Sequence, residues 1–130
     1  MTSAIKRVLL AEDEDDIREI VSAALEILGE YTVESCASGT EAIEKAEAFN
    51  PDIILLDVMM PGIDGPTTLG KLREIPALEK TPVIFVTAKA MPTEIERYKT
   101  LGAIGVIVKP FDPTTICKEI ESFWNAAHSS

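Results

Sequence analysis

The chain has 130 residues, 46% hydrophobic and 26% charged, a size and balance that fit one soluble globular domain and exclude a wholly disordered chain. Its 22 acidic and 12 basic side chains leave a net charge of -10, which repels nucleic acid backbones and anionic membranes and argues against direct binding to either. No apolar run approaches a membrane span, residues Met1 to Arg7 lack a signal-peptide pattern, and Cys36, Cys117 and the lone His128 form neither a zinc motif nor a disulfide framework, so a reducing, cytoplasmic location is expected.

Short apolar runs alternate with amphipathic stretches throughout. Val8-Leu9-Leu10-Ala11 reads as a buried strand. Ile17, Ile20, Val21, Ala24, Leu25 and Leu28 follow at helical spacing, stopped by Gly29. Tyr31 to Cys36 alternates as a second strand, and Ser38-Gly39-Thr40 opens a helix carrying Ala42, Ile43, Ala46 and Phe49 that ends before Pro51. Ile53-Ile54-Leu55-Leu56 is apolar on both faces, the pattern of a central parallel strand covered above and below. A loop through Pro61 to Asp64 leads to a helix near Pro66 to Ile75, with Asp64 as a turn or cap residue. Val83 to Val86 is a fourth strand, Met91 to Leu101 a helix, Ile104 to Val108 a fifth strand. Pro113 to Trp124 is a closing helix with Ile116, Ile120 and Phe123 inward, and Ala126 to Ser130 is a frayed tail. Five strand-then-helix repeats imply a doubly wound parallel sheet, an α/β three-layer sandwich, in one domain over residues 1–130 with its core at about 5–125.

In such sheets ligands bind beyond the carboxyl ends of the strands. Glu12 and Asp13 follow the first apolar run, Asp57 the third, Thr87 the fourth and Lys109 the fifth. Three carboxylates at one rim repel one another and resist ionisation, a cost that a hard divalent cation such as Mg2+ relieves. Asp57 can then act as a nucleophile towards phosphorus, with Lys109 and the Thr87 hydroxyl as donors to phosphoryl oxygens. Taken singly, each residue has a plainer role: the acids cap and solvate the next helix, Thr87 ends a strand, and Lys109 is solvated. Their convergence on one edge argues for the chemistry.

These residues, in this order, resemble the receiver domain of bacterial response regulators from about Arg7 to Trp124. The matching segments are Val8 to Glu14, Pro51 to Gly65, Val86-Thr87-Ala88 and Lys109-Pro110-Phe111. The resemblance implies a flavodoxin-like sheet in order 2-1-3-4-5. It also implies Asp57 as the phosphoacceptor, Asp13 as a direct Mg2+ ligand, and Glu12 as an acid reaching the metal through water. The Met59 backbone carbonyl would be a further ligand, Thr87 and Lys109 would contact the phosphoryl group, and the bond before Pro110 would be cis. The donor would be a phosphohistidine on a sensor histidine kinase or phosphotransfer protein. The receiver would be no conventional enzyme but a switch that catalyses its own phosphorylation and dephosphorylation. Its output would leave by helix four, strand five and helix five, with Glu94, Arg97, Tyr98, Lys99 and Lys118 on that face, to a downstream protein, a second copy or a linked output domain. At the switch positions Thr87 and Val106 the chain departs from many relatives, which carry a rotating aromatic where Val106 stands. Loop movement alone is therefore the expected route from Thr87 to helix four. Met59 places no polar group beside the acceptor to orient an attacking water.

Other readings compete. Gly65 to Leu72 nearly spells a P-loop, but Leu72 replaces the required Ser/Thr and no strand precedes it directly. An EF-hand starting at Asp13 fails at Arg18 and Ala24. A dehalogenase-like aspartyl-phosphate hydrolase wants a second acid where Met59 stands. A binding-only pseudo-receiver would keep the fold without the charged set.

Overall fold

The computed structural model describes residues 4–89 and 91–128. The apolar runs form β1 (Arg7–Ala11), β2 (Thr32–Cys36), β3 (Ile53–Asp57), β4 (Val83–Thr87) and β5 (Gly105–Val108). They are connected by α1 (Asp15–Ile27), α2 (Gly39–Phe49), α3 (Gly65–Arg73) and α4 (Pro92–Thr100), and α5 (Ile116–His128) follows β5. All strands pair in parallel in the order β2-β1-β3-β4-β5. The chain steps outward from β1 to β2 and then returns to β1's other side, so the strand order reverses between β1 and β3 and opens a crevice there.

Alternation along the strands builds two apolar layers. Leu9, Ile54, Leu56, Val83 and Phe85 meet Ala42 and Ala46 of α2, Leu69 and Leu72 of α3, and Tyr98 of α4. Val8, Leu10, Ile53, Leu55, Ile84 and Ile107 meet Val21 and Leu25 of α1 and Ile116 and Ile120 of α5. Each fully buried Leu or Ile contributes about 1.5–3 kcal/mol, and the central β3 is buried along its whole length.

Helix ends depart from the sequence-based expectation where side chains intervene. α3 stops at Arg73, before Ile75, because Pro76 supplies no N–H to continue it and opens a short 3-10 turn, Pro76–Leu78. Arg73 braces that turn through the Leu78 and Thr81 carbonyls at 2.8 and 2.7 Å. α5 starts at Ile116 rather than Pro113, since the Asp112 carboxylate accepts from the Thr114 N–H and hydroxyl at 2.8 and 2.7 Å and holds a turn there. It then runs through Ala126 to His128, whose ring stacks on Trp124 at 4.0 Å, so that part of the expected tail is helical; Ser129 and Ser130 lie outside the described residues. Tyr31 and Ile104 fall just before β2 and β5, although the Ile104 N–H still donates to the Val83 carbonyl at 2.9 Å.

The start of α3 is tied to the end of β3. Asp64 caps the helix, its Oδ1 accepting from the Thr67 N–H at 2.8 Å. The next residue is glycine because the two backbones nearly touch: a Cβ on Gly65 would lie 2.7 Å from the Asp57 carbonyl oxygen. The cap holds the Asp64 carboxyl below its ordinary value of 3.8, chiefly through the Thr67 N–H. Its stabilisation is therefore complete above that value and lost as the pH falls through the lower folded one. Asp64→Ala is expected to cost about 1 kcal/mol at pH 7, a gap that narrows below about pH 4, as urea unfolding at both pH values will show.

Candidate functional site

The sheet's hydrogen-bond ladder runs one residue past several strand ends. The Glu12 N–H donates to the Cys36 carbonyl (3.0 Å), Val58 to Val86 (2.9 Å) and Lys109 to Thr87 (2.8 Å). Backbone pairing thus sets the chain beside Asp57 and fixes Glu12, Thr87 and Lys109 at one rim. Glu12, Asp57 and Thr87 are buried and Asp13 is half-buried.

The Lys109 ammonium lies between two of the acids, 2.8 Å from Glu12 Oε1 and 2.9 Å from Asp57 Oδ2. The other oxygens accept from backbone: Glu12 Oε2 from the Glu14 N–H at 3.1 Å, and Asp57 Oδ1 from the Met59 N–H at 3.2 Å. Arg18 reaches back from α1 to the Glu12 carbonyl at 2.9 Å and braces the acidic loop.

Shared burial and one shared cation make the two carboxyls unequal. Burial raises Asp57 most, Glu12 adds to it, and Lys109 only partly offsets them, so Asp57 is pushed up to about 7. Burial acts against Glu12 too, but Lys109 and the Glu14 N–H outweigh it and hold Glu12 low. Burial disfavours the Lys109 ammonium, yet its two carboxylate partners outweigh that and raise its pKa. The expectation that every acid of the cluster resists ionisation therefore holds for Asp57 and fails for Glu12, whose lysine contact and backbone donor favour the charged form.

One carboxylate oxygen each from Glu12, Asp13 and Asp57 lies within 4.8 Å of the others. An octahedral Mg2+ with ligands at about 2.0–2.1 Å spans about 4 Å between opposite oxygens, so this set fits such an ion with small adjustments. Three acids against one ammonium leave the excess negative charge that a divalent cation neutralises.

The remaining predicted residues are less central. Met59 lies in the loop after β3 with its side chain 66% exposed. Val106 sits on β5 opposite Phe85 and packs on the core layer of α2, α3 and α4. The Lys109–Pro110 bond is cis. Tyr98 requires a correction: it belongs not to the exposed face of α4 but to the core, 3% exposed. Apolar contact with Phe85 turns it inward, while Arg97 and Lys99 on the same helix stay exposed and Glu94 is half-buried. Arg18 and Gly65 also escaped sequence reasoning. A lone aromatic in the polar stretch Pro92–Thr100 was the available signal for Tyr98.

Because Asp57 titrates at a higher pH folded than unfolded, its contribution to stability is fully present below its ordinary value of 3.8 and lost as the pH rises through about 7. In metal-free buffer Asp57→Asn is expected to be more stable than the parent at pH 8 by on the order of 1–2 kcal/mol, allowing for water screening at the rim. The gap should close towards pH 4, which paired urea titrations will test.

A family model for the response regulator receiver domain matches residues 8–121. Response regulator Rre1 of Synechocystis is 40% identical over 107 residues, covering 82% of this chain and 46% of that protein. Transcriptional regulatory protein PdtaR of Mycobacterium tuberculosis is 35% identical over 116 residues, covering 89% and 55% respectively. The chain thus spans about half the length of these curated relatives. Chemotaxis protein CheY4 of Vibrio cholerae superposes with a TM-score of 0.85 at 35% identity, covering 92% of this chain and 99% of that one.

Proposed function

The chain belongs to the response regulator receiver domain family, and from that premise we propose that Asp57 accepts a phosphoryl group from a phosphohistidine donor in a Mg2+-dependent transfer. The observation that carries this is the Lys109 ammonium shared by Glu12 and Asp57 at 2.8 and 2.9 Å, beside three acid oxygens grouped within 4.8 Å.

In this reading an Asp57 carboxylate oxygen attacks phosphorus. The phosphorus–nitrogen bond of the donor breaks, and the imidazole leaves with the electron pair and takes up a proton. Lys109 holds the nucleophile in place and then pairs with the phosphoryl oxygens, and the Thr87 hydroxyl donates to another. Glu12, Asp13, Asp57 and the Met59 carbonyl would hold the metal. When bound, Mg2+ supplies the positive charge that lets a phosphoryl group approach this acidic rim.

Residues 1–130 are read as a single receiver domain of the cytoplasm; among the described residues no helix is long and apolar enough to cross a membrane. The donor is a histidine kinase or phosphotransfer protein. An apolar groove of about 300 Å³ beside Lys109, lined by Ile17, Ile20, Pro110 and Phe111 among others, offers it a surface next to Asp57. The signal leaves through α4, β5 and α5 to a protein partner or a linked output domain. The net charge of -10 disfavours direct contact with nucleic acid.

Beryllium fluoride with Mg2+, a mimic of the phosphoryl group, tests the reading. Amide resonances of residues 57–59 and 87–89 should shift in the parent and stay in place in Asp57→Asn. A response without Mg2+, or an equal response in the Asn variant, would sink it, and turnover of a small phosphate ester would favour a hydrolase instead.

The Met59 side chain presents no polar group to orient an attacking water. Met59→Asn is expected to shorten the lifetime of the phosphorylated protein about fivefold, the kinetic equivalent of one net hydrogen bond of about 1 kcal/mol. Loss of radiolabel from Asp57 measures it.

A further inference from the structure

Two of the three clustered acids are aimed by partners of their own. Glu12 rests on Lys109 and the Glu14 N–H, and Asp57 on Lys109 and the Met59 N–H. Among the described residues, no hydrogen bond or ion pair holds the Asp13 carboxylate. Its place within 4.8 Å of the other two acids therefore depends on the course of its backbone.

That backbone is gripped on both sides of Glu12. The Glu12 N–H donates to the Cys36 carbonyl of β2 at 3.0 Å, and the Glu12 carbonyl accepts from Arg18 Nη1 at 2.9 Å. The peptide unit joining Glu12 to Asp13 is planar, so a hold on its oxygen also sets the direction in which the chain enters Asp13. Arg18 is anchored in turn. It stands near the start of α1, its own N–H donates to the Glu14 carbonyl at 2.9 Å, and its Nη2 pairs with Asp15. Its side chain is only 20% exposed. A planar fork of donors holds a carbonyl and a carboxylate at once, which a single ammonium does less well.

We propose that Arg18 is a positioning residue for the metal: through the Glu12 carbonyl it aims the Asp13 carboxylate at the acidic cluster and so sets the affinity for Mg2+. This rests on the Mg2+ reading above. Two effects of the guanidinium oppose each other. Its charge repels a divalent ion, whereas its grip on the loop prepares a ligand for one. The charge is paired with Asp15, itself 82% exposed, and water screens such a pair. Groups that orient metal ligands are typically worth ten- to a hundredfold in affinity. The grip outweighs the charge, and the sign of the effect separates the two.

Arg18→Met keeps the bulk of the stem and removes both donors and charge. The parent, Arg18→Met and Arg18→Lys are titrated with Mg2+, following the amides of residues 12–14 and 57–59 in the folded protein. The Met variant should bind about tenfold more weakly than the parent, and the Lys variant, with one ammonium left to reach the carbonyl, should fall between them. A role in stability alone would lower the urea midpoint and leave the Mg2+ affinity of the folded molecules unchanged. A Met variant that binds Mg2+ as tightly as the parent overturns the proposal, and so does one that binds more tightly, the result expected if only the charge acts. In the unmutated protein, the scalar coupling across the hydrogen bond from Arg18 Nη1 to the Glu12 carbonyl carbon should persist when Mg2+ is added. Its loss on adding Mg2+ overturns the proposal without any variant. A parent whose amides ignore Mg2+ overturns the metal reading and this one together, whereas a parent that binds beside an equally competent Met variant overturns this one alone.

Discussion

The Lys109 ammonium, held between the carboxylates of Glu12 and Asp57, is the contact on which the rim depends. Two buried like charges about 4 Å apart repel by about 4 kcal/mol at the effective dielectric of a protein surface, so without a shared cation the pair could not both remain charged. With it, the arrangement is still lopsided: Glu12 stays ionised while Asp57 is pushed up to about 7. One ammonium does not balance Glu12, Asp13 and Asp57. That residual demand for positive charge is what a divalent ion held by this acidic set could meet.

The sheet supplies the rigidity this electrostatic strain requires. Because β3 is buried from Ile53 to Asp57 and its neighbours pair with it in parallel, Asp57 cannot retreat towards solvent to relieve its desolvation. The α3 start closes the other side, with Gly65 too near the Asp57 carbonyl to tolerate even one added carbon. Stability and chemistry are thus opposed at Asp57 and reconciled by the apolar layers around it.

Strand alternation also divides the labour between the two faces. Asp57 continues the alternation of Ile53 and Leu55, which face α1 and α5, whereas Thr87 continues that of Val83 and Phe85, which face α4. A group bound at the rim therefore touches both layers at once. Thr87 thus leaves the sheet on the face whose core holds the Phe85–Tyr98 contact.

Much of this was legible in residue order. Each strand is a compact apolar run, each is followed by the residue that reaches the rim, and Asp64 read correctly as a cap, because these are short-range patterns that local sterics and hydrogen bonding enforce. Helix ends at Arg73 and Ile116 were misjudged where a proline or an aspartate side chain competes with the backbone. Tyr98 was misplaced because nine mostly polar residues give too weak a periodicity to tell an aromatic's inward turn from an outward one. By itself, then, the sequence determined which side chains stand after which strand, and so the fold and the membership of the acidic cluster. Only the tertiary structure decided how the cluster divides its charge, which acid is pushed up and which is held down, and that Tyr98 turns inward onto Phe85. Those outcomes depend on distances and burial between segments far apart in the chain, which no local pattern encodes.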